Sequence, residues 1–249
     1  MSQRKRILVA PLNWGLGHAT RCIPIILELQ KQGAEVFIAS DGRALELLRQ
    51  EFPDLPTFEL SSCNARYPSG NPLRNFILQI PNLLRAVFLE HREVRLLVRA
   101  NEINGIISDN RFGCYCRKVR CVFVTHQLFI KMPSRLLEKI VRQVNYYFIS
   151  RFNECWLPDV EGQPNLSGEL SHSEQFPKNF TFHYLGALSR MVKKEVKKKY
   201  DLIVVLSGPE PERTNFEHLI LQQAKNLQQQ ILILQGKTEE AVHFFYNNI

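Results

Sequence analysis

The chain has 249 residues, of which 45% are hydrophobic and 22% are charged. This length suffices for one large domain or two small ones, and the composition is typical of a globular, water-soluble protein. No run of about 18 uncharged apolar residues occurs, and the apolar run Ile7–Leu12 after the basic start is too short for a signal peptide. The sequence therefore predicts a cytoplasmic protein without a membrane-spanning helix.

The formal net charge is +8, which favours anionic partners such as nucleic acids, phosphorylated small molecules or anionic lipid surfaces. Much of the excess lies in the segment Met191–Asp201, which lacks the interleaved aromatic and basic residues of nucleic-acid-binding segments. We therefore expect a solvated linker and no nucleic-acid partner. The spacing of Cys114, Cys116 and Cys121 is not that of a common zinc site, so no metal is expected either.

Strands and helices alternate through most of the chain. Arg6–Pro11 is a nearly continuous apolar run, as in a strand buried on both faces, and apolar residues then recur at helical spacing from Ala19 to Leu29. Further strands are predicted at 35–39, 57–60, 105–109, 121–125, 154–158 and 180–186. Further helices are predicted at 44–52, 76–98 and 134–148, the second of which Pro81 should kink or begin. This alternation predicts a parallel sheet with helices on both faces.

The pattern starts again after a charged stretch, with a strand at 201–207, a helix at 215–227 and a strand at 231–235. Two strands cannot bury a core of their own. We therefore predict an α/β protein with one Rossmann-like, doubly wound domain over residues 1–186. A charged linker over 187–200 and the start of a second, incomplete α/β domain over 201–249 follow. The open sheet edges of that second unit favour self-association.

The loop "NWGLGH" after the first strand contains Gly15, Gly17 and His18. In open α/β sheets, ligands bind beyond the carboxyl ends of the strands, where this loop lies. Glycines allow a tight turn and a close approach to a ligand, and the start of the next helix offers free N–H groups. Because a histidine there can exchange a proton near neutral pH, we predict a ligand-facing site with His18 as its working residue. As a loop side chain, His18 is expected to be exposed and to contribute little to stability.

Two other interpretations of this loop stay open. Gly15 and Gly17 fit the start of the G-x-G-x-x-G fingerprint of dinucleotide-binding proteins, and Asp41 follows the second strand as a ribose-binding acid would. Thr20, however, stands where that fingerprint has glycine or alanine, which weakens the case for an NAD-dependent dehydrogenase. Alternatively, the loop is a tight turn that carries a surface histidine.

The motif "NWGLGHATRCIPI" resembles the first glycine loop of MurG-like, family 28-type GT-B glycosyltransferases. The likeness continues in "IISDNRFG", "FVTHQL" and "VVLSGPEPERTNFE", and it spans the whole chain. It implies a GT-B-type fold in which two Rossmann-like domains enclose a cleft, with the acceptor on the first and the nucleotide-sugar on the second. The implied activity is transfer of a sugar from a nucleotide-diphosphate donor, a UDP-sugar, to an acceptor hydroxyl. It would be inverting and metal-independent and need no cofactor, and the chain has no Asp-x-Asp motif.

The resemblance also implies roles for individual residues. His18 would be the general base on the acceptor hydroxyl, and Asp109 would orient it. The remaining residues of the acceptor and phosphate loops would be Asn13, Gly15, Gly17, Thr125, His126 and Gln127. The residues that bind the donor diphosphate would be Ser207, Gly208, Arg213 and Thr214.

Purely structural interpretations of these residues remain open beside the functional ones. Asp109 could cap a strand end, His126 could be a packed histidine, and the second loop could be a Pro-rich turn capped by Thr214. The acid and the glycine-rich loop that hold the ribose and base in GT-B donor domains have no counterpart after Gly236. The chain alone is therefore expected to have an incomplete donor site, which leaves open a non-catalytic binding or interaction domain of the same fold.

MurG-type enzymes act on lipid-linked acceptors at the inner membrane face. Here the segment 75–99 combines apolar residues with four arginines, as in a helix that lies on an anionic surface. Peripheral membrane contact is therefore one interpretation. The other is an amphipathic helix that packs on its own sheet.

Overall fold

The computed structural model describes residues 4–61, 72–132, 134–172, 180–208 and 210–236, and for 72–79 the backbone alone. The strands are β1 (Arg6–Pro11), β2 (Glu35–Ser40), β3 (Thr57–Glu59), β4 (Gly105–Asp109), β5 (Arg120–Val124), β6 (Glu154–Leu157), β7 (Thr181–Tyr184), β8 (Leu202–Val205) and β9 (Ile231–Leu234). The α helices are α1 (Gly17–Lys31), α2 (Gly42–Glu51), α3 (Pro72–Ala100), α4 (Arg135–Ile149) and α5 (Glu212–Ala224).

Seven strands form one parallel sheet in the order β3-β2-β1-β4-β5-β6-β7. The chain builds outward from β1 to β3, crosses back through α3, and then builds outward again from β4 to β7. The predicted doubly wound parallel sheet is thus confirmed. The order reverses between β1 and β4, and ligands of such sheets bind at this reversal. The register pairs Pro11 with Asp109, so both strands end at the same level of the sheet edge.

Helices cover the sheet on both faces, which explains why the central strands are apolar throughout. On one face α1 and α2 pack their apolar stripes, including Ile23 and Leu45, against β1 and β2. On the opposite face α3 and α4 contribute Val94 and Ile149 to a core that includes many aromatic side chains. The burial of these faces fixes α1 above β1 and so fixes the direction in which its first turn points.

Helix α3 is longer than predicted, since it extends from Pro72 to Ala100 and Pro81 lies inside it instead of marking its start. Its amphipathic pattern has a packing role, because Val94 is fully buried in the sheet core. Other apolar residues of α3 face solvent, with Leu84 50% and Phe88 67% exposed. Among the described residues, no helix combines the length and the apolar content that crossing a bilayer requires.

Strands β8 and β9 form a separate two-stranded parallel sheet, with α5 between them in the chain. Helix α5 begins at Glu212 instead of the predicted Asn215. The side chains of Ile203 and Val205 in β8 are largely exposed, as expected for a sheet of two strands. Self-association through this surface and the domain boundaries at 186 and 201 stay predictions.

Candidate active site

The loop between β1 and α1 depends on its glycines for shape and for open space. Gly15 has a φ of +77°, a left-handed conformation that side chains other than glycine rarely adopt. A Cβ atom added at Gly15 or at Gly17 would meet nothing within 4 Å. The loop therefore leaves room beside its backbone at the edge where Pro11 and Asp109 end their strands.

Asn13 turns away from this open space and binds helix α2. Its Nδ2 donates to Asp41 Oδ2 over 3.1 Å, and its Oδ1 accepts the N–H of Ala44 over 3.2 Å. Gly42 is required beneath it, because a Cβ at Gly42 would lie 2.4 Å from Asn13 Nδ2. The structure thus gives the Asn13 side chain a structural role at the start of α2, and its predicted contact with a ligand stays a prediction.

Asp41 is engaged by a buried arginine, which bears on the dehydrogenase interpretation. Arg111 Nη1 donates to Asp41 Oδ1 over 2.6 Å, and Arg111 Nη2 lies 2.9 Å from Glu90 Oε1. Asn110, with a φ of +58°, turns the chain after β4 so that Arg111 points back under the sheet edge. A ribose hydroxyl would have to displace Arg111 from Asp41, so this arrangement does not favour a dinucleotide site.

His18 lies in the first turn of α1 and is only 8% exposed, so the expectation of an exposed loop side chain is wrong. The sheet register explains this burial, because it places Asp109 directly beside the start of α1. His18 Nδ1 lies 2.8 Å from Asp109 Oδ1, and the carboxylate is completely buried. The structure thus brings together two predicted site residues that are 91 positions apart in sequence.

Arg21 completes this cluster. It lies one turn after His18 on the same face of α1, and its Nε and Nη2 donate to the two carboxylate oxygens of Asp109. Its Nη1 lies 2.6 Å from Nδ1 of His126, and its Nη2 lies 2.8 Å from Nδ1 of His18. Sequence reasoning missed Arg21, although a basic residue at i+3 from a candidate histidine was a usable signal.

The charges of the cluster follow from these contacts. Burial raises the pKa of Asp109, but hydrogen bonds from Arg21 and His18 outweigh burial and leave that pKa below its ordinary value. The carboxylate is therefore ionised at neutral pH. Burial, together with the nearby Arg21 and His18, lowers the pKa of His126, so this imidazole is neutral at pH 7.

The outer nitrogens of the two histidines are free within the described part of the chain. Neither His18 Nε2 nor His126 Nε2 hydrogen-bonds to a described residue, and neither belongs to the buried polar atoms that lack a partner. The centroids of the two rings are 6.3 Å apart. Two imidazoles thus present unpaired nitrogens next to each other at the open edge of the sheet.

The other predicted residues after β5 divide into one that shapes the loop and one that is free to bind. Thr125 is buried, and its Oγ1 accepts the N–H of Gln127 over 3.1 Å, which closes a tight turn. The side chain of Gln127 is half-buried and makes no side-chain hydrogen bond to the described residues. The backbone after this turn is hydrogen-bonded to the loop after β6, because Leu128 and Phe129 both donate their N–H to the carbonyl of Leu170.

Trp14 is a further residue that sequence reasoning passed over. It lies in the same loop, directly before Gly15, and its indole is 61% exposed. An exposed tryptophan is unusual because its large apolar surface gains free energy on burial. Its exposed position in the loop that leads to His18 makes it a candidate contact for a ligand.

The loop after β8 carries the predicted donor-binding residues, and the structure separates them into two groups. Ser207 and Gly208 are exposed, and Gly208 has a φ of +118° with open space where a Cβ would be. Arg213 is only 2% exposed. Its Nε donates to Glu210 over 2.6 Å and its Nη1 to Glu217 over 2.8 Å.

Thr214 belongs to the same network as Arg213, since its Oγ1 donates to Glu210 Oε2 over 2.7 Å. A donor phosphate would therefore have to displace a carboxylate to reach either side chain. The contact of Arg213 with the diphosphate stays a prediction, and it requires this guanidinium to leave Glu210 or Glu217. The exposed pair Ser207 and Gly208 is what remains available to a ligand.

No protein-family profile and no curated protein matches the sequence. Solved structures match in fold. The glycosyltransferase of kitacinnamycin is 14% identical, with a TM-score of 0.58, and the match covers 100% of this chain and 70% of that one. CalG4, the calicheamicin glycosyltransferase, is 13% identical with a TM-score of 0.58, covering 93% of this chain and 65% of that one. SnogD from Streptomyces nogalater is 12% identical with a TM-score of 0.53, covering 98% of this chain and 70% of that one.

The chain spans only part of the length of such proteins, and it covers 57% of MurG from Acinetobacter baumannii, to which it is 11% identical with a TM-score of 0.45. The identities are low, so these matches concern the fold. The seven-stranded parallel sheet, its strand order and these structural matches together show that the chain has the Rossmann-like fold of the GT-B glycosyltransferases.

Proposed function

We propose that the chain acts in glycosyl transfer from a nucleotide-diphosphate sugar to an acceptor hydroxyl, with His18 as the general base. One observation carries the proposal: a buried carboxylate holds His18 Nδ1 at the reversal point of the sheet, while His18 Nε2 stays open. The shared fold with solved glycosyltransferases supplies the class of reaction.

The geometry of the pair suits proton transfer from a hydroxyl. In the tautomer whose Nδ1–H donates to Asp109, the unprotonated Nε2 of His18 carries a lone pair. The acceptor oxygen passes its proton to this nitrogen as it attacks the anomeric carbon of the sugar. The bond from that carbon to the diphosphate breaks in the same displacement, which inverts the anomeric centre. Asp109 keeps the ring oriented and stabilises the imidazolium that forms.

On the donor side, we propose that the loop after β8 contacts the diphosphate of a UDP-sugar through Ser207 and Gly208. The hydroxyl and the glycine backbone lie just before α5, whose first N–H groups suit phosphate oxygens. The sequence has no Asp-x-Asp motif, so we propose a transfer that does not depend on a metal held by such a motif.

A second candidate function is favoured by the surroundings of Arg213. Because Glu210 and Glu217 already neutralise this guanidinium, the second sheet offers a diphosphate little positive charge. A domain that binds the acceptor molecule without transferring sugar fits this observation. It would keep the His18 site as a binding site for a hydroxylated ligand.

We also propose peripheral contact with an anionic membrane through the exposed face of α3. Leu84 and Phe88 are exposed there, and Arg85 lies between them in sequence. Such a face can insert apolar side chains between lipids while the arginines bind headgroups. Sedimentation with vesicles of phosphatidylglycerol should retain the wild-type chain and lose the L84S/F88S variant, whereas pure phosphatidylcholine vesicles should retain neither. Equal retention of wild type and variant would contradict the proposal.

The transferase proposal is tested with a panel of nucleotide-sugars and hydroxylated acceptors, with product detected by mass spectrometry. Thermal shifts with the same compounds report binding, because a ligand that binds the native state raises its stability. Product formation that depends on His18 supports the transferase. Acceptor-induced shifts that depend on His18, without product from any donor, would instead support the binding domain.

A further inference from the structure

Arg21 contacts three residues of the candidate site, Asp109, His18 and His126, of which the proposed function uses only Asp109 and His18. Its guanidinium donates through Nε and Nη2 to Asp109 and through Nη1 to His126, and its Nη2 also lies 2.8 Å from Nδ1 of His18. The side chain is mostly buried, with 13% of its surface exposed. Other groups near Asp109 are His18 and the thiol of Cys22, whose Sγ lies 3.6 Å from Asp109 Oδ2.

The hydrogen-bond chemistry of arginine determines the state of His126. A guanidinium can only donate, so Nδ1 of His126 must accept and therefore carries no proton. The proton of the neutral ring is then on Nε2, which makes no hydrogen bond to a described residue. His126 thus presents an N–H donor beside the lone pair that His18 presents.

The same rule does not decide His18, because its Nδ1 lies 2.8 Å from an acceptor, Asp109 Oδ1, and 2.8 Å from a donor, Arg21 Nη2; we assign its proton to the bond with the carboxylate. The buried cluster contains one carboxylate and one guanidinium, so it is neutral when both imidazoles are neutral. Without the guanidinium, Asp109 would be a buried carboxylate whose nearest partner is His18, and such an arrangement favours a protonated ring. A protonated His18 cannot accept a proton from a substrate.

We propose that Arg21 is a positioning residue that neutralises Asp109, so that His18 stays a proton acceptor, and that makes His126 a hydrogen-bond donor towards the acceptor substrate. The catalytic part of this inference rests on the proposed function, in which His18 is the general base. It assigns the acceptor substrate two oxygens within reach of the pair: a hydroxyl that reacts at His18 and a neighbouring hydroxyl or carbonyl oxygen that binds His126. The acceptor class is therefore a polyol or a hydroxylated carbonyl compound.

The protonation of the two rings is measured directly on the ligand-free chain labelled with ¹⁵N-histidine. Long-range ¹H–¹⁵N spectra at pH 7 distinguish protonated ring nitrogens from unprotonated ones, and His18→Ala and His126→Ala spectra assign the signals. In the wild type we expect the proton of His18 on Nδ1 and that of His126 on Nε2. A proton on Nδ1 of His126 would overturn the proposal without any activity measurement.

Variants of Arg21 then separate its charge from its geometry. In Arg21→Met we expect both nitrogens of His18 to be protonated at pH 7. In Arg21→Lys the charge remains but the forked donors do not, so the proton of His126 should no longer be confined to Nε2 and both tautomers should be detected. The matched control is Arg49→Met on α2, an exposed contact with Thr57 that should change neither ring. A neutral His18 in Arg21→Met would overturn the charge argument, and the lysine variant keeps the test decisive if the methionine variant does not fold.

The substrate part of the inference is tested once an acceptor yields product. His126→Gln keeps an N–H donor, whereas His126→Phe removes it, so KM for the acceptor should rise several-fold more in the phenylalanine variant while kcat changes less. Equal KM values in the two variants would overturn the donor role of His126. Because the NMR measurement needs no substrate, its outcome stands apart from the outcome of the transferase assay.

Discussion

The two sheets contain the same local arrangement, a strand followed by a glycine loop and a helix with an arginine near its start, yet the two arginines differ in their partners. Arg21 of α1 shares a single carboxylate, Asp109, with two histidines. Arg213 of α5 is enclosed by two carboxylates, Glu210 and Glu217. The first cluster pairs one guanidinium with one carboxylate and has imidazole nitrogens that contact no described residue, while the second surrounds one guanidinium with two carboxylates.

The difference arises from where the acids lie in the sequence. Glu210 and Glu217 are three residues before and four residues after Arg213, so they reach it within the same loop and helix. Asp109 is 88 positions from Arg21 and approaches it only because β1 and β4 are neighbours in the sheet. A local ion pair is complete within its own segment, whereas the long-range pair forms where two segments meet and leaves room for a ligand between them.

The largest expected effect is that of His18→Ala on transfer. We expect kcat to fall by about 10²–10⁴-fold, the range for losing a general base, in assays with the donor and acceptor that give product. The matched control is His183→Ala, which removes a half-exposed histidine from the far edge strand β7 and should leave kcat unchanged. If Arg213→Met lowered kcat as much as His18→Ala, the contrast between the two sheets would be wrong.

The next effect is that of Asp109→Asn on folding stability. The substitution leaves Arg21 buried without its counter-charge, which costs about 3–5 kcal/mol when one partner of a buried pair is removed. Urea denaturation should show this loss. Asp54→Asn, at an exposed position, should change the free energy of unfolding by less than about 0.5 kcal/mol.

Acid titration sharpens the same prediction. The pKa of Asp109 lies below its ordinary value in the folded chain, since the hydrogen bonds to Arg21 and His18 outweigh burial. Its ionised form therefore stabilises the fold above the unfolded-state pKa of about 3.9, and this contribution disappears as the pH falls below that value. The Asp109→Asn variant should lose less stability than the wild type between pH 5 and the acid limit of folding, and parallel losses would contradict the assignment.

A smaller effect is expected for Arg213→Met in the second sheet. Leaving the buried Glu217 carboxylate without the charge of Arg213, with Gln235 still donating to it, should cost about 1–3 kcal/mol, and the double variant R213M/E217L should recover most of that loss. The thermal shift caused by UDP should be the same in wild type and R213M, because the guanidinium is occupied. A lost UDP shift in R213M would show that Arg213 leaves its acids to bind phosphate.

The smallest effect is expected for Trp14→Ala. If the exposed indole stacks on the acceptor, its loss should cost about 0.5–1.5 kcal/mol of binding, which appears as a rise of roughly two- to tenfold in KM for the acceptor. Trp14→Phe should restore most of the affinity. An unchanged KM in the alanine variant would remove Trp14 from the site.

The sequence by itself determined the parallel sheet and the edge at which the site lies. Hydrophobic runs of strand length that alternate with helical periodicity are local signals, and they specified the strands that carry Pro11 and Asp109. The rule that ligands bind at the carboxyl ends of parallel strands then places His18 and Asp109 on one edge from the sequence alone. Local patterns did less well at the ends of elements, since α3 begins at Pro72 and α5 at Glu212, each before its predicted start.

Only the tertiary structure decided which side chains are free at that edge. Asn13 caps α2, Arg213 is enclosed by its own acids, and His18 is buried instead of exposed. Arg21, to which the sequence motif gave no role of its own, is the residue that joins Asp109 to His126. The physical reason is that a side chain's charge and protonation depend on partners within hydrogen-bond distance, and for this cluster those partners lie 88 to 105 positions away in the chain.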